Sequence, residues 1–281
     1  MRRLFVIVFI LFIAPVFAYA QNLHLTAFAG FSNYQGDLQD KRFTTNQAHP
    51  ALGAGLQYGI TEKFSARANI TFGKISGDDK NNTKNSSRNL NFTSAITDVQ
   101  LGLEYDLFSL YEKSITPYVF AGLSYFNFNP YTKDTAGRTI FLQPLSTEGQ
   151  GFYHGRKKYS LNQWAIPFGG GVKFAVNDDI RLAFEIGMRK TNTDYIDDVS
   201  TTYVDQFLLL ANRGQQAVDL AFRGGELKTG LTYPADGSQR GSAKSKDWYY
   251  FSGISCSIRL HTNGGNSHRS KTKTGCPANI Y

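Results

Sequence analysis

Hydrophobic and polar residues alternate along most of this chain. The pattern is clearest between residues 159 and 203. There Trp164, Ile166, Phe168, Gly170, Val172, Phe174 and Val176 occupy one parity, while Gln163, Ala165, Pro167, Gly169, Gly171, Lys173 and Ala175 occupy the other. A period of two predicts a strand. After the turn signal Asn177-Asp178-Asp179 the alternation resumes, with Ile180, Leu182, Phe184, Ile186 and Met188 opposite Arg181, Ala183, Glu185, Gly187 and Arg189. The two runs predict a hairpin. The same parity places apolar faces at Leu23, Leu25, Ala27, Ala29 and Phe31; at Leu52, Ala54, Leu56 and Tyr58; and at Phe64, Ala66, Ala68, Ile70 and Phe72. A fourth face carries Thr97, Val99, Leu101, Leu103, Tyr105 and Leu107, opposite Asp98, Gln100, Gly102, Glu104 and Asp106. Residues 116–128 are strand-like but apolar on both faces, and a last strand spans about 247–260. The total is about eight strands.

The composition of the polar face decides between a soluble sandwich and a membrane barrel. It is rich in Gly and Ala with isolated charges, as a narrow, crowded lumen requires, and the opposite face is suited to lipid. A sheet in lipid must close on itself, because an open edge would leave backbone N–H and C=O groups unpaired in hydrocarbon. The expected fold is therefore all-β, a closed antiparallel transmembrane β-barrel of about eight strands. Residues 58–63, 108–114 and 177–179 form short connections, and residues 32–49, 74–94, 129–160 and 191–246 form long ones. Short and long alternate, which predicts short periplasmic turns, long external loops and both chain ends in the periplasm. Within the longest connection, residues 204–211 and 216–222 are candidates for short helices.

Residues 1–20 have a basic start (Arg2, Arg3), an apolar run and Ala18-Tyr19-Ala20 before Gln21, which fits an export signal cleaved after Ala20. The chain then divides into a barrel over 21–260 and a basic periplasmic tail over 261–281. No later apolar run is long enough for a transmembrane helix. Abundant Tyr and Phe suit aromatic belts at the two membrane interfaces. Cys256 and Cys276 are the two cysteines, and Cys256 falls on the apolar face of the last strand, which argues against a structural disulfide. The formal net charge of +8 shrinks once Arg2 and Arg3 leave with the signal. The surplus suits anionic lipid headgroups at the outer membrane. No nucleic-acid partner is expected, because the aromatic residues belong to strand faces and not to a basic patch.

Arg67, Asp98, Glu104, Lys173, Arg181, Glu185 and Arg189 all take the inward parity. Charges in an eight-strand lumen must pair to offset desolvation, so a lumen charge network closed to solutes is expected rather than catalysis or a pore. An enzyme acting on lipid would need a His beside a Ser or a carboxylate near the external rim. His24 begins the first strand, His49 and His154 fall in loops, His261 and His268 fall in the tail, and none has a partner legible in the sequence. Asp194, Asp197, Asp198 and Asp205 lack the spacing and glycine of a calcium loop and are expected to cap turns. No helix follows Gly169, Gly170 and Gly171, so they are expected to be lumen-packing or strand-bending positions and not a phosphate loop. No cofactor and no metal are expected.

Several stretches resemble a known family: SNYQGDLQ (32–39), SARANITFGKISGDD (65–79), NPYTKDTAGRTIFLQPLSTEGQG (129–151), YSLNQWAIPFGGGVKF (159–174) and TDYIDDVSTTY (193–203). Together they are similar to the PorG-like outer-membrane barrels of Bacteroidota, which are associated with type IX protein secretion and gliding. The resemblance implies a non-enzymatic barrel, an accessory or anchor that docks a periplasmic ring made of a lipoprotein and its partner. It supplies no catalytic residues. The surface available to such a ring is the three short turns and the tail, where Arg269, Lys271 and Lys273 would add salt-sensitive attraction.

Overall fold

The computed structural model describes residues 23–260, apart from residues 40, 42, 43, 82–84 and 229. Eight long strands form where the alternation predicts them. They are β1 (Leu23–Gln35), β2 (His49–Gly59), β3 (Phe64–Asp78), β4 (Asn91–Asp106), β5 (Ile115–Lys133), β7 (Asn162–Ala175), β8 (Ile180–Thr191) and β9 (Trp248–Arg259). A short strand, β6 (Thr139–Phe141), folds back on the end of β5 and so turns part of the third long connection into sheet. Every pairing is antiparallel. The ring runs β1, β2, β3, β4, β5, β7, β8, β9 and returns to β1. Ala27 shows the closure: it faces Ala54 of β2 on one side and Cys256 of β9 on the other. A closed ring leaves neither edge of β1 unpaired, which removes the main hazard of an exposed sheet.

Parity sorts the side chains as the sequence predicts. Leu52 is 64% exposed and Leu101 63%, whereas Asp98 is fully buried and Lys173 is 3% exposed. The greasy face is therefore outside and the charged face inside. Cys256 is a free thiol on the outward parity.

The interior departs from the expected small and polar lining. Only the half near the short turns is charged. Toward the long loops the inward positions become aromatic and aliphatic: Phe126 and Phe128 of β5, Phe92 and Ile96 of β4, Ile75 of β3, and Tyr249 and Phe251 of β9 form one buried cluster. Ile196, Val199, Leu220, Leu142 and Leu38, all from the long connections, join that cluster. The apolar character of both faces of β5 is thereby explained, since its inner residues pack against the loops. Lower down, Tyr118 and Phe120 also point inward. Gly169 and Gly171 of β7 make room for them: a Cβ at Gly169 would meet Phe120 Cζ at 2.9 Å, and one at Gly171 would meet Tyr118 Cε1 at 3.0 Å.

The longest connection is a packed cap. It contains α1 (Gln206–Arg213), whose first turn is capped by Asp205 accepting from Leu208 N at 2.8 Å, and α2 (Gln215–Ala221). Gly214, at φ 82°, breaks one helix from the next. Val204, Leu209, Ala217, Val218 and Ala221 form a small second core with Leu145, Phe152, Tyr153 and Tyr233.

Candidate functional site

Two buried polar networks lie one above the other, and each depends on residues brought together from distant strands. In the lumen, Arg67 of β3 reaches across to β8, with Nη1 2.9 Å from Glu185 Oε2 and Nη2 3.1 Å from Glu185 Oε1. Its Nη1 also lies 3.2 Å from Glu104 Oε2, and its guanidinium sits 4.3 Å from the Phe120 ring centroid. Lys173 Nζ approaches Glu104 Oε1 at 2.5 Å and Asp106 Oδ1 at 2.7 Å. Gln57 Nε2 donates to Glu104 Oε1 at 2.6 Å, and the Tyr118 hydroxyl donates to Glu185 Oε2 at 2.8 Å. Closer to the aromatic tier, Arg189 donates to Gln100 Oε1 at 3.1 Å and stands 3.8 Å from Asp98 Oδ2, which also accepts from the Tyr249 hydroxyl at 2.5 Å. Arg181 is half-buried, lines the lumen cavity and makes no direct ion pair among the described residues. Asp106 belongs in this network although sequence analysis did not single it out. Its signal was available, since it continues the alternation Asp98, Gln100, Gly102, Glu104.

Arg67, Lys173, Arg181 and Arg189 thus stand against Asp98, Glu104, Asp106 and Glu185, four cations for four carboxylates. Buried charge in this balance is held in place by its counter-charges. The cavity that remains has a volume of about 40 Å³, bounded by Thr26, Asn69, Arg181, Glu185 and Arg189 among others. It has room for roughly three waters. Asp98 Oδ1, Gln100 Nε2 and two nitrogens of Arg189 have no hydrogen-bond partner within the protein, and water would satisfy such groups. Chemically this site can fix the shape of the barrel.

The second network lies in the cap. Glu148, fully buried, accepts at Oε1 from Ser200 N at 2.9 Å and from Arg240 Nη1 at 3.0 Å, and at Oε2 from the Thr201 hydroxyl at 2.6 Å. Arg240 also donates to the Asp198 carbonyl at 2.6 Å and to the Ala221 carbonyl at 3.2 Å, and so ties α2 to the loop. Asp198 accepts from Tyr159 OH at 2.7 Å and Thr147 Oγ1 at 2.5 Å. Burial pushes its carboxyl up to about 6, with Arg240 opposing the shift. Asp79 holds Arg88 at 2.6 Å and accepts from Leu90 N at 3.1 Å. The turn-capping role expected for the aspartates is therefore only part of the answer. Asp205 caps a helix and Asp197 Oδ1 accepts from Val199 N at 2.9 Å, but Asp194, Asp197 and Asp198 are all buried.

A further correction concerns His49. It is not in a loop but opens β2 at the long-loop end, and its Nε2 lies 2.8 Å from Ser76 Oγ on β3. His49 and Ser76 lie 27 positions apart in sequence, so no local pattern could have shown the contact. His154 is exposed. His261, His268, Cys276, the tail cations Arg269, Lys271 and Lys273, and the export signal lie outside the described residues.

Fold and site together define a closed eight-strand antiparallel β-barrel with a greasy exterior and a charge-neutralised lumen. The sequence matches the family described as Domain of unknown function (DUF6089) over residues 2–212, and the chain belongs to that family. No curated protein matches it. Among solved structures it is similar to Neisserial surface protein A, at 10% identity and a TM-score of 0.44, covering 85% of this chain and 97% of that one. It is also similar to Ail, the attachment invasion locus protein of Yersinia pestis, at 6% identity and a TM-score of 0.41, covering 85% and 98%. For the outer membrane protein OprG of Pseudomonas aeruginosa the identity is 10% and the TM-score 0.39, over 85% and 98% of the two chains.

Proposed function

We propose that this protein is a non-enzymatic outer-membrane β-barrel that serves as an anchoring accessory of the type IX secretion machinery, in the manner of the PorG-like family. The observation that carries the membrane reading is the outward belt. Leu25, Leu52, Leu101, Ile166, Phe184 and Ile254, drawn from six strands of the closed ring, are each between 48% and 64% exposed. In water such a belt would be an aggregation surface, and only lipid makes it favourable. Recovery in the outer-membrane fraction with heat-modifiable gel migration is the expected result. Recovery from the soluble periplasm would overturn the reading.

The docking role draws support from the short-turn end, where Ile60, Phe108, Tyr111 and Val176 are exposed. Tyr111, 67% exposed, and Phe108, with Lys113 Nζ 3.8 Å from its ring centroid, offer an aromatic platform beside the turns to a periplasmic partner such as the ring lipoprotein. The tail from residue 261, with Arg269, Lys271 and Lys273, lies outside the described residues and is the second docking element of this proposal, on its charge alone. Co-purification of the ring with the intact protein, and its loss after Tyr111→Ala plus truncation following Leu260, is the expected outcome. Undiminished capture by the truncated variant would remove docking from this face.

One observation favours a second reading. Ser76 Oγ beside His49 Nε2 is the nucleophile-and-base contact that an esterase acting on outer-leaflet lipid would use. Against it, no described side chain orients the other ring nitrogen of His49. Mass spectrometry of lipid A from deletion and Ser76→Ala strains, run beside a blot for periplasmic cargo, separates the two. Retained cargo with unaltered lipid A supports the anchor, and altered lipid A with normal secretion supports the enzyme.

A further inference from the structure

Where the chain leaves β8 and returns to β9, the two ends of the cap are gathered by carboxyl groups. Asp194 and Asp197 stand at its start and Asp247 at its end, none more than 3% exposed. The Tyr34 hydroxyl of β1 lies 2.6 Å from Asp197 Oδ2 and 3.1 Å from Asp247 Oδ1. A phenol has one proton to give, so it bonds fully to both carboxyls only when one of them carries a proton of its own. The outer oxygens of this pair accept backbone N–H groups, from Val199 on Asp197 and from Ile196 on Asp247, each at 2.9 Å. Asp194 differs, because neither of its oxygens meets a donor in good hydrogen-bond geometry, although the Ser200 side chain is close enough to favour its ionised form. Ionised, it would be a buried charge next to two more acids, offset only by Ser200 and Lys246. Gly36 roofs the pair: a Cβ there would collide with both the Tyr34 hydroxyl and Asp247 Oδ1.

The surrounding charges do not balance the trio. Asp37, from the connection after β1, faces Asp197 and adds to the repulsion, and Glu148 faces Asp194. Lys246 is the cation that faces Asp194, while Arg88 and Arg240 act on Asp37. Burial, and then the neighbouring acids, hold Asp197 and Asp247 well above the usual carboxylate range. Burial pushes Asp194 up to about 7, with Ser200 and Lys246 opposing.

We propose that Asp194, Asp197 and Asp247 form a proton latch: protonated, they hold the neck of the 192–247 cap closed on Tyr34 of β1, and their ionisation in alkaline medium releases the cap from the barrel. Release would uncover the aromatic tier of the lumen, since Ile196 and Val199, which pack on it, sit between two of the latch residues.

Hydrogen exchange of the full-length protein, folded in detergent micelles and followed by mass spectrometry at pH 5.5 and pH 8.5, tests it. After correction for intrinsic exchange, peptides from the two ends of the cap are expected to exchange at least tenfold faster at the higher pH, with β3 and β4 unchanged. Asp194→Asn combined with Asp247→Asn is expected to hold the low-pH protection at both values. Should that pair fail to fold, Asp194→Asn alone should cut the ratio at least threefold. Equal protection of the natural protein at both pH values would overturn the latch, as would a pH response that survives in the Asn variants. Protection at pH 8.5 that millimolar calcium restores and EDTA removes would also overturn it, in favour of a cation site.

Discussion

Arg67 is the side chain whose loss the lumen should feel most. It bridges two carboxylates from opposite walls, and Arg67→Met keeps much of its volume while removing the charge. Glu104 would retain Lys173 at 2.5 Å and Gln57 at 2.6 Å, so it stays compensated. Glu185 would keep the Tyr118 hydroxyl at 2.8 Å and lose both guanidinium contacts. Breaking a buried pair from one side typically costs 3–5 kcal/mol. With one carboxylate spared, we expect about 3 kcal/mol here, roughly a hundredfold in the folding equilibrium. The assay is urea unfolding of the barrel in lipid vesicles, read by the gel shift between folded and unfolded forms. Adding Glu185→Gln removes the stranded charge and should bring the double variant to within about 1 kcal/mol of the natural protein, because an absent pair costs far less than half of one. A loss below about 1 kcal/mol for Arg67→Met, or no recovery in the double variant, would refute the claim that these charges exist to compensate one another.

Other outcomes follow from the same geometry. Gly169→Leu should slow or prevent barrel closure, since its side chain would enter the space of the Phe120 ring; refolding yield in vesicles measures this. Purified protein in a planar bilayer should show no steady large conductance at neutral pH, given a lumen cavity of only about 40 Å³. Arg240→Met should leave Glu148 without its buried cation and loosen the cap by about 2–4 kcal/mol without unfolding the barrel, seen as faster limited proteolysis within residues 192–247. Asp198 is pushed up to about 6, so above pH 4 the folded cap keeps a proton that the unfolded chain has released. Its contribution is therefore fully present below about pH 4 and lost as the pH rises to about 6, and Asp198→Asn should flatten that part of the cap's pH profile.

The barrel itself was legible because its signal is local. Each strand carries its own alternation, and parity alone told Leu101 from Asp98 and Phe184 from Glu185. Connection lengths likewise separated the two rims. The cap was not legible, because its fold depends on contacts far apart in sequence. Arg240 meets Glu148 across 92 positions, and Tyr34 meets Asp247 across 213. An aspartate that caps a turn and one that is buried in a network look alike in the sequence, which therefore points to the commoner role for Asp194 and Asp198. The ambiguity of β5 did carry information. Inward Tyr118, Phe120, Phe126 and Phe128 on a strand whose outer face is also apolar meant that something greasy had to fill the lumen from above.

That filling changes what the barrel can be used for. A lumen lined only by polar groups would leave a channel or a water column, and its loops would be free to vary independently of the wall. Here the wall and the cap share one apolar core, since Phe126, Phe128, Tyr249 and Phe251 of the strands pack with Ile196, Val199 and Leu220 of the loops. Movement of the cap must then be felt at the aromatic tier, and the next residues inward are Arg189 and Asp98, with Arg189 4.5 Å from the Phe251 ring centroid and Asp98 bonded to Tyr249. Arg189 also donates to Gln100, and below them a separate set of pairs runs from Glu185 through Arg67, Glu104 and Lys173 to Asp106 at the short-turn rim. Packed and paired layers therefore fill the lumen from the long-loop face toward the short turns. Such layers give the two faces a physical means of influencing each other. They also fix where to separate them: at Arg189, where the aromatic tier meets the charged one.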